Sequence, residues 1–195
     1  MSLISSFNDN ILFFIQAHIQ NPFLTPIMSF FTTIGKDGAI WLVIGIILLI
    51  SKKYRKVGFV IYFGSVINYI ITEIIKNTVK EPRPFETLHS LHLLISAPPG
   101  YSFPSGHTSA AFVAAFIIAI YIRKMAAPAL IGAICIACSR LYFTVHYPTD
   151  VIMGAFVGFI SCLIAIYLYN HFVYKIANPI LRIPTNKKKR SNKAA

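Results

Sequence analysis

Apolar runs alternate with short polar breaks along this chain. Residues 57–72, 108–122, 125–139 and 151–170 contain no Lys, Arg, Asp or Glu. A helix needs about 20 apolar residues to cross a bilayer, and 151–170 meets that length alone. The 57–72 run continues through Glu73 as a helix to about residue 79. Residues 38–50 are also uncharged, but at 1.5 Å rise they reach only about 20 Å of a core of roughly 30 Å. This span either recruits residues upstream of Gly35 or tilts little in a thin region. The 24–34 piece reads as a separate short apolar segment, broken by Gly35-Lys36-Asp37-Gly38. Residues 7–19 are interrupted by Gln16 and His18 and follow Asn8-Asp9-Asn10, so they read as an interfacial helix that Asn21-Pro22 ends. The expected architecture is all-α: an integral membrane helical bundle of five transmembrane helices, six if 7–19 crosses, plus the N-terminal interfacial helix. Residues 1–175 form one domain, and 176–195 form a basic cytoplasmic tail that reads as disordered.

Composition agrees. The chain is 56% hydrophobic and 12% charged, against about 25% charged in a typical soluble domain. The net charge of +12 does not point to nucleic acid, because the cations sit in short clusters between apolar runs. Placing 51–56 in the cytoplasm and alternating puts 13 Lys and Arg inside and five outside. The positive-inside rule then sets the N-terminus outside and the C-terminus inside. No cleavable secretory signal is evident at the N-terminus. Cys135 and Cys138 form a C-x-x-C with no further ligands nearby, so they and Cys162 read as small buried hydrophobes.

The five outer cations are Lys36, Lys76, Lys80, Arg83 and Arg140. Three of them fall beside the two outer turns that hold His107 and His146. Cations placed against the topological trend need a reason, and an anionic ligand supplies one. Pro104-Ser105-Gly106-His107 opens an apolar helix, where free N–H groups and the helix dipole attract anions. Gly106 lets an oxyanion approach the backbone. Lys76, Arg83 and Arg140 are suited to neutralising phosphoryl oxygens. His146 and Asp150 are four apart, so a carboxylate can fix the imidazole tautomer and free its other nitrogen for attack. His107 is then available as a general acid. Each residue also has a plainer reading. Arg140 can be a snorkelling anchor, Asp150 a helix N-cap, and His18, His89, His92 and His171 ordinary loop residues. Glu73, three residues before Lys76, reads as its structural ion-pair partner. The 85–105 loop, with Pro98, Pro99, Gly100, Tyr101 and Phe103, is placed to cover a pocket.

Lys76, six residues, then Arg83-Pro84; Pro104-Ser105-Gly106-His107; and Ser139-Arg140, five residues, His146, three residues, Asp150 together resemble a three-part signature. It is that of the type 2 phosphatidic acid phosphatase superfamily. The resemblance implies that His146 is a nucleophile forming a phosphohistidine, that Asp150 orients it, and that His107 protonates the leaving group. It implies that Lys76, Arg83, Ser105, Gly106 and Arg140 hold the phosphoryl oxygens, with no metal and no cofactor. The partners it implies are a lipid phosphate and the bilayer, on the extracytoplasmic face of a bacterial plasma membrane. The Glu-Pro-Arg-Pro-Phe and His-Tyr-Pro-x-Asp runs are similar to those of bacterial undecaprenyl pyrophosphate phosphatases. Asp is common in that group where Gly106 stands. Gly there is shared with phosphatidylglycerophosphate and phosphatidic acid phosphatases, which remain alternatives, as do a lipid phosphotransferase and a non-catalytic lipid-binding protein. Oligomeric state is not legible.

Overall fold

The computed structural model describes residues 3–173. Helix α1 (Leu3–Phe14) continues into a π-helical turn (Ile15–Ile19). It is followed by α2 (Leu24–Gly35), α3 (Ala39–Ile50), α4 (Arg55–Val79), the short α5 (Pro84–Thr87), α6 (Gly106–Tyr121), α7 (Ala126–Tyr142) and α8 (Pro148–Leu168). Four helical stretches are long and apolar enough to cross a membrane: Leu24–Ile50, Arg55–Thr87, Arg123–Tyr142 and Pro148–Phe172. Apolar runs become helices here because lipid offers the backbone no hydrogen-bond partner, so each N–H and C=O must be satisfied within its own segment.

The fifth expected span, α6, is a shorter apolar helix. Its 16 residues rise about 24 Å. It packs against α4, α7 and α8, and Val113, Ala114, Ala115 and Ile117 are fully buried. A helix surrounded by protein need not match the lipid thickness. The lipid-facing surface is made elsewhere, by residues such as Ile46, Ile47, Ile70, Ile152 and Phe156.

Two expectations about the first span are corrected. Residues 24–34 are not a separate piece but the first half of the 27-residue stretch Leu24–Ile50. The Gly35–Gly38 break is a kink within it, taken by left-handed backbone at Asp37 (φ 53°) and Gly38 (φ 71°). Lys36 is therefore not in an outer loop but at this kink. The length that 38–50 lacked is supplied from upstream.

Helix α1 begins at Leu3, before the expected start. Asn8 and Asp9 are buried: Asn8 Nδ2 donates to Thr149 Oγ1 at 2.9 Å, and Leu12 packs with Leu91 and Tyr147. Further along, Gln20 Nε2 donates to the Tyr142 carbonyl at 2.6 Å. Helix α1 and its π-turn are thus fastened to the α7–α8 end of the bundle. Cys162 is buried as expected, but Cys138 is exposed and Cys135 partly so. The i, i+3 pair faces outward from α7, where a thiol behaves as a small lipid-compatible group. The tail from 176 onward lies outside the described residues.

Candidate active site

The site forms where four segments meet at one end of the bundle. Helix α4 ends at Val79 because Lys80 turns left-handed (φ 53°), and the chain then reaches Arg83 and α5. Helix α6 starts with His107 in its first turn, after the Ser105 cap. Helix α7 delivers Arg140 in its last turn. The tight turn after α7 presents His146, and α8 begins two residues later at Pro148.

Asp150 Oδ2 is the hub. It accepts from Ser102 Oγ at 2.5 Å, from the Tyr147 N–H at 2.8 Å and from His146 Nδ1 at 3.2 Å. The Tyr147 bond is half of a capping box at the start of α8. The plain reading of Asp150 as the N-cap is corrected: Tyr147 is the N-cap and Asp150 the N3 residue whose carboxylate accepts from its N–H, so one carboxylate both starts the helix and orients the imidazole.

On its other side, His146 Nε2 lies 3.3 Å from Arg83 Nη1. A guanidinium has donors only, so Nε2 is the acceptor and Nδ1 carries the ring hydrogen toward Asp150. This assigns the tautomer a nucleophile requires, with its lone pair on the cavity side. Burial, then the charges of Arg140, Arg83 and Lys76, hold the His146 pKa well below 6.5. The imidazole is neutral at ordinary pH.

Arg83 is a structural brace as well as a charge. Only 5% exposed, it donates to the Gly100 carbonyl from Nε at 2.9 Å, to Pro99 O from Nη2 at 3.1 Å and to Val145 O from Nη1 at 3.0 Å. The expected cover loop is thus a wall of the site, and Pro98, Pro99, Gly100 and Tyr101 line the cavity. Lys76 Nζ donates to the Tyr101 carbonyl at 2.7 Å. The expected Glu73–Lys76 ion pair does not form: the ion pair at this site is His146–Asp150. Glu73 instead lines the cavity beside Lys76. Arg140, 3% exposed, donates from Nη1 to Thr32 Oγ1. Its Nε–H is buried with no acceptor among the described residues, and Arg140 also lines the cavity.

These cations surround a cavity of about 1040 Å³. Lys76, Arg83, Gly106, His107, Arg140 and His146 all line it. A Cβ on Gly106 would meet only Lys76 Cε, at 3.9 Å, so glycine keeps the space beside Lys76 open. Ser105 and Asp150 lie behind the wall. Ser105 Oγ accepts from Thr108 Oγ1 at 2.9 Å, and its N–H donates to the Asp150 carbonyl at 3.0 Å. Its hydroxyl is occupied in capping α6. The sequence reading missed Ser102 and Thr32. Neither has a motif around it, and each matters only through a residue distant in sequence.

A sequence profile of the PAP2 superfamily matches residues 57–174. The chain belongs to the PAP2 superfamily. The match takes in the helices that carry all three parts of the PAP2 signature. The chain is 33% identical over 145 residues to the undecaprenyl-diphosphatase BcrC of Bacillus subtilis, covering 72% of each chain. It is 32% identical over 136 residues to an undecaprenyl-diphosphatase of Sulfolobus acidocaldarius, covering 69% of this chain and 66% of that relative's length. The fold is similar to that of a transmembrane PAP2 type phosphatidylglycerolphosphate phosphatase from Bacillus subtilis. That likeness has a TM-score of 0.70 at 21% identity and covers 88% of this chain and 89% of the other. The helical membrane architecture expected from the hydropathy pattern is therefore that of PAP2 proteins.

Proposed function

We propose that this PAP2 chain is a lipid phosphatase working through a phosphohistidine, with a polyprenyl diphosphate such as undecaprenyl diphosphate as substrate. The observation that carries the reading is the His146 arrangement, with Nδ1–H held on Asp150 and Nε2 facing a pocket of three cations. In the first step Nε2 attacks the terminal phosphorus. The P–N bond forms, the P–O bond to the lipid phosphate breaks, and His107, protonated once the bound phosphate anion offsets the surrounding cations, gives its proton to the leaving oxygen. In the second step His107, now neutral, takes a proton from water as that water attacks phosphorus. Inorganic phosphate leaves and His146 is restored. Lys76, Arg83, Arg140 and the first N–H groups of α6 stabilise the charge on the transferred oxygens. They supply positive charge at the place where a metal ion would otherwise be needed, which supports metal-independent chemistry.

The cavity also favours a lipid. It extends along α4 from Tyr62 to Lys76, about 21 Å at 1.5 Å per residue. Leu42, Tyr62, Val66 and Tyr69 line the part away from the histidines. A phosphate at Lys76 with an apolar chain beside Tyr62 fits that gradient. The names of the two undecaprenyl-diphosphatases support the substrate class. The opposite end of the bundle carries Lys52, Lys53, Arg55, Lys56, Arg123 and Lys124, which supports an extracytoplasmic site and a cytoplasmic C-terminus.

The test is phosphate release by purified protein from undecaprenyl diphosphate, phosphatidylglycerophosphate and phosphatidic acid, with and without chelator. His146→Ala is expected to abolish turnover, and acid-labile, base-stable labelling is expected with His146 present. Full turnover by His146→Ala would overturn the mechanism. Preference for either phospholipid would replace the substrate, and lipid binding without phosphate release would favour a non-catalytic role.

A further inference from the structure

Glu81 is a carboxyl that the mechanism above does not use. It sits between the end of α4 and Arg83. Its backbone carbonyl accepts from the Ser102 N–H at 2.8 Å, and the Ser102 hydroxyl donates to Asp150 Oδ2. Ser102 thereby bridges the Glu81 strand of backbone to the hub carboxylate. The Glu81 side chain itself reaches hydrogen-bonding distance of Asp150.

No Lys or Arg among the described residues pairs with the Glu81 carboxyl. Arg83, two residues on, directs its guanidinium to Pro99, Gly100, Val145 and His146. The other titratable group facing Glu81 is Tyr147, at the start of α8. Asp150 Oδ1 is buried and, with both carboxyls ionised, receives no hydrogen bond among the described residues. A buried charged acceptor left unpaired is costly, and two ionised carboxylates in contact repel. A single proton on Glu81 resolves both problems at once.

We propose that Glu81 is a positioning residue that stays protonated and donates its O–H to Asp150 Oδ1. Asp150 then keeps its charge and is held from both oxygens: Glu81 on Oδ1, and Ser102, Tyr147 and His146 on Oδ2. The carboxyl–carboxylate pair carries one negative charge, and that charge holds Nδ1–H of His146 in place. Glu81 acts through Asp150 and does not touch the phosphate.

This inference rests on the His146 nucleophile reading, and its test separates the two. Glu81→Leu removes the donor, while Glu81→Gln replaces it with an amide N–H. Glu81→Leu is expected to lower kcat roughly 10- to 100-fold with little change in KM, and Glu81→Gln to restore it to within about threefold. Infrared spectra of the wild-type protein in lipid at neutral pH are expected to show the carbonyl stretch of a protonated carboxyl, absent in Glu81→Gln. If Glu81→Leu does not fold, the spectra and the Glu81→Gln rate decide. Wild-type turnover by Glu81→Leu, a Glu81→Gln variant as slow as Glu81→Leu, or no band that Glu81→Gln removes would each overturn the proposal. Turnover by His146→Ala would overturn the nucleophile reading instead, and the infrared band would still judge the carboxyl pair.

Discussion

Gly154 on α8 lies directly against the backbone carbonyl of Ser105, the cap of α6: a Cβ at Gly154 would stand 2.7 Å from that oxygen. One turn on, a Cβ at Gly158 would stand 2.7 Å from the Ser109 carbonyl. Small residues four apart let two membrane helices approach backbone to backbone. Here they bring the helix that begins just after His146 against the helix that begins with His107. The spacing between the two histidines is therefore set partly by two residues with no side chain.

Replacing Gly154 by Val forces α6 and α8 apart. Overpacking of this kind costs about 1–3 kcal/mol, so the melting temperature in detergent is expected to fall together with turnover. Gly106→Ala is the contrast. Its Cβ meets open space beside Lys76, so the melting temperature is expected to stay unchanged while KM for lipid phosphate rises.

Arg83→Lys keeps the charge and loses the fork. A lysine ammonium cannot reproduce the planar set of bonds to Pro99, Gly100 and Val145 carbonyls and to His146. Each hydrogen bond from a charged donor is worth about 1.5–3 kcal/mol. The expected outcome is a loss of turnover of about a hundredfold or more, with faster limited proteolysis near Pro99.

Ser102→Ala removes one of the three donors to Asp150 Oδ2. The carboxylate keeps its bonds from Tyr147 and His146, so the fold survives. Loss of one bond to a charged group predicts a fall in kcat of roughly tenfold or more, with KM nearly constant, in steady-state kinetics.

Because burial and the neighbouring cations depress the His146 pKa, the proposed nucleophile stays unprotonated well into the acid range. The acid limb of kcat/KM due to His146 is expected well below pH 6.5. Arg140→Gln removes one of the depressing charges and is expected to move that limb upward. The same shift acts on stability. Unfolded His takes up a proton below about pH 6.5 while folded His146 does not, so the unfolded state binds more protons there. The contribution of His146 to stability is complete above that pH and declines as pH falls toward the folded pKa, which a pH series of thermal melts measures.

Much of this was legible without coordinates. The uncharged runs located α4, α6, α7 and α8, because burial in lipid requires long helices with no unpaired charge. Lys76, Arg83, His107, Arg140 and His146 were legible as a set because the plainer reading open to each one singly does not account for all of them together at the ends of separate helices. What misled was local reasoning about pairs and breaks. Glu73 and Lys76 share a helical face, yet Lys76 turns to the Tyr101 carbonyl, a partner 25 positions away. Gly35–Gly38 has the residues of a stop, yet two left-handed positions turn it into a kink.

The sequence by itself determined that the chain is a membrane helix bundle and singled out side chains that the fold gathers around one cavity, because hydropathy and residue type act over one helix at a time. The tertiary structure decided how those side chains are supported: Ser102 and Glu81 behind Asp150, Thr32 behind Arg140, and Gly154 and Gly158 between α6 and α8. Those contacts join residues far apart in the chain. They arise only when helices pack, and a serine or glycine bears no mark of the partner it will meet.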